Sequence, residues 1–180
     1  RKGLVTRNVA RLADAPSLTT ARSRAPEMQV WTPSELAGFL RSIEGHHNEA
    51  LFRTIAMTGM RRSEAVGLRW CDVELTRGAL VISQAATQVD GVEQIDAPKS
   101  RRSRRVIDID PATTAILQRY RASQRELLFM LGIPMQSDDR IFTTELGRPI
   151  RPDSVTQAFG RLVDSTDLPR IRLHDLRHTH

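Results

Sequence analysis

The chain has 180 residues, with 27 Lys+Arg against 21 Asp+Glu, a formal charge of +6. Hydrophobic residues make up 39% of it, enough for one packed core, which excludes wholesale disorder. No stretch approaches the roughly 20 apolar residues of a membrane-spanning helix, and the single Cys71 excludes an internal disulfide framework and fits a reducing compartment.

Residues 1–30 read as a tail and linker, rich in Arg, Ala, Ser and Thr and interrupted by Pro16 and Pro26. Thr32-Pro33-Ser34-Glu35 is a capping box with Pro at the first helical position. Leu36, Phe39, Leu40 and Ile43 then form one apolar stripe. A second helix is expected over Asn48–Met57, ended by Gly59, and a third over Ser63–Leu68. Val73–Leu75 and Leu80–Ile82, joined at Arg77-Gly78, read as a hairpin. Gln94–Pro98 and Arg105–Ile109 read as a second strand pair around a basic loop. A long helix starts near Pro111, with Ile116, Leu117, Tyr120, Leu127, Leu128 and Leu131 inward. Arg140–Phe142 reads as a short strand and Gly147-Arg148-Pro149 as a turn. Asp153 is the expected N-cap of a helix carrying Val155, Phe159, Leu162 and Val163, and His46-His47 is expected at the surface. A last helix begins near His174, and seven residues are too few to hold a helix alone, so a truncated C-terminus is expected. The chain does not begin with Met, so an upstream segment is expected as well.

The basic residues are 25 Arg and only 2 Lys, Lys2 and Lys99. GC-rich codon usage accounts for this skew as readily as a phosphate-bearing partner does, although Arg suits phosphate through planar, bidentate bonds. Four stretches stand out. In Thr58-Gly59-Met60-Arg61-Arg62-Ser63-Glu64, Arg61 sits at a helix start where backbone N–H groups favour an anion, or else on an ordinary solvated turn. Lys99-Ser100-Arg101-Arg102-Ser103-Arg104 is either a solvated hairpin tip or a contact to a nucleic-acid backbone. In the second case Lys99 is able to donate a proton, which Arg does poorly. In Leu173-His174-Asp175-Leu176-Arg177-His178, His174 and Arg177 share one helical face, with Leu173 and Leu176 as anchors. His174, His178 and His180 lack the adjacent Glu of a metalloprotease helix, so no metal site is assigned. There is no phosphate-cradling Gly-rich loop and no dinucleotide fingerprint, and no cofactor is expected.

In this order, TGMRRSEAVGLRWCDV, PKSRRSRRVIDI and LHDLRHTH resemble the catalytic domain of the tyrosine recombinases, the phage-integrase family, from Val30 to His180. The resemblance implies an α+β, mainly helical catalytic domain over residues 31–180 with a small antiparallel sheet on one side. Residues 1–30 would be a linker and the end of a core-binding domain. It implies catalytic roles for Arg61, Lys99, His174 and Arg177, and DNA contacts from Arg62, Arg101, Arg102, Arg104 and Arg105. Glu64 and Asp72 match structural positions, expected to bond backbone or Arg side chains and not to react.

The family's reaction cuts and rejoins DNA through a 3′-phosphotyrosine link without metal or nucleotide. The family's nucleophile follows the His box, whereas the only tyrosine here, Tyr120, precedes it on an apolar helix face. The chain alone is therefore expected to be inactive, and the parent to be a site-specific recombinase of phage-integrase type. Its expected partners are double-stranded DNA and further recombinase protomers, with the chain alone monomeric, off the membrane, and its parent in the bacterial cytoplasm at the nucleoid. The alternatives are a catalytically dead DNA-binding module or regulator of the same fold, a type IB topoisomerase, and a helix-turn-helix regulator. The hairpins between the motifs fit the last poorly.

Overall fold

A computed structural model of the chain describes residues 29–96 and 104–177. Thr32 opens α1 (Pro33–Ser42): its hydroxyl accepts from the Glu35 N–H at 3.3 Å, and the Glu35 carboxylate accepts from the Thr32 N–H at 2.7 Å. Two backbone donors without helical partners are thereby satisfied. α2 (Glu49–Thr58) ends at Gly59, whose φ of 60° lies in the left-handed region that Gly enters without a Cβ penalty. That turn delivers the chain into the short α3 (Arg62–Gly67).

A single 3₁₀ turn (Trp70–Asp72) leads into the strands. β1 (Val73–Glu74), β2 (Ala79–Ile82) and β5 (Arg105–Asp108) form an antiparallel sheet in the order β1-β2-β5. β3 (Ala85–Val89) and β4 (Val92–Asp96) form a separate antiparallel hairpin, closed at Asp90-Gly91, where both φ angles are positive. Positive φ at both central residues matches the right-handed twist of paired strands. α4 (Pro111–Met130) is capped by Asp110, which accepts from the Thr113 N–H at 3.0 Å. α5 (Pro152–Asp164) and α6 (Leu173–Leu176) complete the fold.

Burial joins the helices and the strands other than β4 into one cluster. Trp31, Phe39, Phe52 and Phe159 interlock with ring centroids 5.0–6.3 Å apart, tying α1, α2 and α5 together. Tilted and edge-on aromatic pairs of this kind add about 1 kcal/mol each beyond burial. The Trp31 indole N–H also donates to the Pro169 carbonyl at 2.8 Å, which brings the segment before α6 onto this cluster. A buried polar chain sits beneath α4. Trp70 donates to the Gln124 side chain at 2.6 Å, and Gln124 donates to the Ile141 and Arg140 carbonyls at 3.0 and 3.1 Å.

The expectations differ from this fold at five places. β4 pairs with β3, and β5 pairs with β2, so the expected strand pair of Gln94–Pro98 with Arg105–Ile109 does not form among the described residues. Arg105–Asp108 offers its backbone to the free edge of β2, where Leu80 and Ile82 are buried. α5 starts two residues early, with Arg151 at the N-cap and Pro152 at the first helical position, a position suited to a residue without an N–H. Leu131 follows the last turn of α4 and is exposed together with Phe129 and Met130. Arg140–Phe142 makes only an isolated bridge, from Arg140 to Arg69. His47 is half-buried, with its ring Nε2 2.6 Å from the Thr143 carbonyl.

Candidate functional site

Arg61 occupies the N-cap of α3. The Glu64 carboxylate one turn later accepts from the Arg61 backbone N–H at 2.7 Å and from the Arg61 guanidinium at 3.0 Å. Glu64 is buried, yet it also accepts both terminal nitrogens of Arg105 at 3.0 and 2.9 Å. Burial pushes the Glu64 carboxyl up, but the bonds from Arg105, then from Arg61, outweigh it and hold the group down at about 2. The bonds to Glu64 raise Arg105 correspondingly. One anion thus fixes two cations, and Arg61 keeps its side chain more than half exposed.

α6 is built the same way. Leu173 and Leu176 are buried and pin its one turn against the core. The Asp175 carboxylate, also buried, accepts from the Arg172 backbone N–H at 3.2 Å and from the guanidinium at 2.7 and 2.9 Å. The Arg172 bonds hold Asp175 below the usual carboxylate range. The anchored leucines leave His174 exposed and Arg177 half-buried at the other side of the turn.

These two turns meet. A cleft of about 390 Å³ is lined by Arg61, Arg62, Arg172, His174 and Arg177, together with Met60, Thr156 and Leu173. Arg62 crosses to α5, donating to the Thr156 hydroxyl at 2.7 Å with Asp153 3.6 Å away. Four guanidinium groups and an imidazole around one opening make a site for an anion with several oxygens, since each planar fork is able to donate two parallel bonds. Among the described residues no group of three His, Cys, Asp or Glu is placed to hold a metal.

Of the residues singled out from the sequence, Arg61, Arg62, His174 and Arg177 come together here. Arg105 lies just behind, with its terminal nitrogens on Glu64. Arg104 is exposed at the entry to β5. Lys99, Arg101, Arg102, His178 and His180 lie outside the described residues. Asp72 accepts from the Arg69 guanidinium at 2.9 and 3.3 Å and from the Ser83 hydroxyl at 2.7 Å. Tyr120 is half-buried against the core, and its hydroxyl accepts from the Thr143 N–H at 3.2 Å. Sequence reasoning missed Arg172 and Thr156. The signal for Arg172 was its spacing to Asp175, the same three residues that separate Arg61 from Glu64.

Known proteins share this arrangement of chain. The model of the phage integrase family matches residues 31–180. The chain is 30% identical over 158 residues to the ICEBs1 integrase of Bacillus subtilis (strain 168), covering 86% of this chain and 42% of that protein. It is 27% identical over 168 residues to a XerC-like tyrosine recombinase of Caldanaerobacter subterraneus subsp. tengcongensis, with the same two coverages, 86% and 42%. The chain therefore spans less than half the length of these curated relatives. In fold it matches the Tn1549 transposon integrase in complex with transposon right end DNA. The TM-score is 0.74 at 22% identity, over 97% of this chain and 56% of that one. The XerH site-specific recombinase bound to palindromic difH substrate matches with a TM-score of 0.56 at 22% identity, over 83% of this chain and 40% of that one.

Proposed function

The chain belongs to the phage integrase family of tyrosine recombinases, and on that premise we propose that its cleft grips the scissile phosphate of double-stranded DNA for a strand transferase. The observation that carries this reading is the meeting of Arg61, His174 and Arg177 at one opening from two distant parts of the chain. Arg61 and Arg177 bind the nonbridging oxygens, where charge builds as the phosphorus becomes five-coordinate. His174 assists proton transfer. Lys99 gives a proton to the departing 5′ oxygen, a role that suits an ammonium and that a guanidinium fills poorly.

In the whole protein a tyrosine oxygen attacks phosphorus, the bond to the 5′ oxygen breaks, and a 3′-phosphotyrosine forms. The reverse attack by a 5′ hydroxyl rejoins a strand, so the phosphodiester energy is conserved and no nucleotide is consumed. Tyr120 is tied to Thr143 and does not line the cleft, so the attacking tyrosine is assigned to a part of the protein outside these 180 residues. The whole protein works on DNA in the cytoplasm with further protomers, as a site-specific recombinase. The test uses the whole protein and a duplex nicked beside its recombination site, so that the released segment diffuses away and the covalent adduct accumulates. Arg61→Ala and Arg177→Ala should each cut adduct formation by on the order of 10²–10³-fold. An adduct that forms equally well in Arg61→Ala sinks the reading.

A second reading is favoured by the same tyrosine geometry: these residues act as a phosphate-binding module without chemistry of their own. It predicts that the chain binds duplex DNA in a salt-dependent manner and forms no adduct.

A further inference from the structure

We propose that Arg172 is a DNA-binding residue of this cleft, holding a backbone phosphate next to the one gripped by Arg61 and Arg177. The proposal rests on the reading of the cleft as a phosphate site. Arg172 lies two residues before the His174–Arg177 pair and lines the same opening. Its side chain is 64% exposed, while the Asp175 carboxylate that orients it is 4% exposed. A long side chain at that exposure ordinarily samples many rotamers. Here two bonds from Nε and Nη2 fix the guanidinium plane, so the ordering cost is met before any ligand arrives. Of the five N–H donors of an arginine, those two bonds use two, leaving about three not spent on Asp175.

The geometry resembles that of Arg61, where a buried carboxylate three residues along also takes the backbone N–H and one terminal nitrogen of the guanidinium. If the role of Arg172 were only to neutralise Asp175, its loss would lower stability and leave the DNA contacts unchanged. A phosphate contact has another signature. Each phosphate neutralised by a cation steepens the dependence of log binding constant on log salt by about 0.9 for duplex DNA.

The experiment measures binding of the whole protein to a short fluorescent duplex across a salt series. Four variants accompany the parent: Arg172→Gln, Arg61→Ala, Arg125→Gln outside the cleft, and the pair Arg172→Gln with Asp175→Asn. The pair keeps the net charge and leaves no buried carboxylate unpaired, so it answers the question even where the single change fails to fold. The expected result is a salt slope shallower by about one and binding about tenfold weaker for Arg172→Gln and for the pair, with Arg125→Gln close to the parent. A wild-type slope in the Arg172 variants, with a shallower slope in Arg61→Ala, overturns the proposal and leaves the phosphate site standing. Binding by the parent that ignores both salt and Arg61→Ala overturns the phosphate site, and the proposal with it.

Discussion

Arg105 grips Glu64 through both terminal nitrogens, at 3.0 and 2.9 Å, from the strand that follows the basic loop. The sequence counts Arg105 among the DNA contacts. In the fold it is half-buried behind the cleft and serves Arg61 through a shared carboxylate. Arg105 thus has a structural partner besides the expected one, since one buried carboxylate orders both Arg61 and Arg105.

The Glu64 lock sets an acid limb of stability. The folded carboxyl lies at about 2, against an ordinary 4.5 in the unfolded chain. A depressed carboxylate stabilises fully above the unfolded value and loses that contribution as pH falls from about 4.5 towards 2. With both arginine partners partly in water, the contribution is on the order of 2 kcal/mol. Urea midpoints measured from pH 6 down to pH 2 should drop across that window for the parent and stay flatter for Glu64→Gln. Parallel curves would remove the lock.

Gly67 is where α3 meets the hairpin. A Cβ there would stand 3.0 Å from the Ala86 nitrogen and 3.1 Å from the Ala85 Cα, both backbone atoms that cannot swing aside. Gly67→Ala should cost about 1–3 kcal/mol, read by chemical denaturation. Because α3 begins at the Arg61 cap, the same change should weaken duplex binding. A melt equal to the parent's would show that the helix and β3 slide apart freely.

Leu176 is fully buried and pins the turn that carries His174 and Arg177. Leu176→Ala should destabilise by about 2–5 kcal/mol, the range for an aliphatic side chain deleted from a packed core. In the whole protein it should also reduce covalent adduct beyond any loss of folded material. Adduct yield that tracks only the folded fraction would mean that the turn is held by other contacts.

Tyr120 accepts the Thr143 N–H, so Tyr120→Phe leaves that donor unpaired and should cost about 1 kcal/mol. Adduct formation by the whole protein should persist in Tyr120→Phe. Its disappearance, with the fold intact, would place the nucleophile on α4.

Local signals in the sequence located most helices and the residues of the cleft. The Thr32–Glu35 box and Gly59 act within a single turn, where spacing alone decides the hydrogen bonds. The strands were harder to read. β4 is exposed along its whole length and shows no inward alternation, and β3 is Ala-Ala-Thr-Gln-Val, with one buried residue. Their pairing depends on backbone edges that side-chain periodicity does not encode. Gln124 was equally hidden: on a helix with many polar residues it looks like any other, and only Trp70 and the carbonyls of Arg140 and Ile141 make it a buried junction.

Three arginines, Arg61, Arg69 and Arg172, are each aimed by a carboxylate three residues further along, Glu64, Asp72 and Asp175. Each pair is a bracket formed within its own turn, although Glu64 is shared with Arg105 and Asp72 with Ser83. Two brackets face the cleft, so the aim of one survives a substitution that tilts the other. Packing between the elements sets the spacing between brackets. A protein that evolves to accept a shifted or reshaped DNA backbone is able to retune that spacing while the grips themselves stay intact.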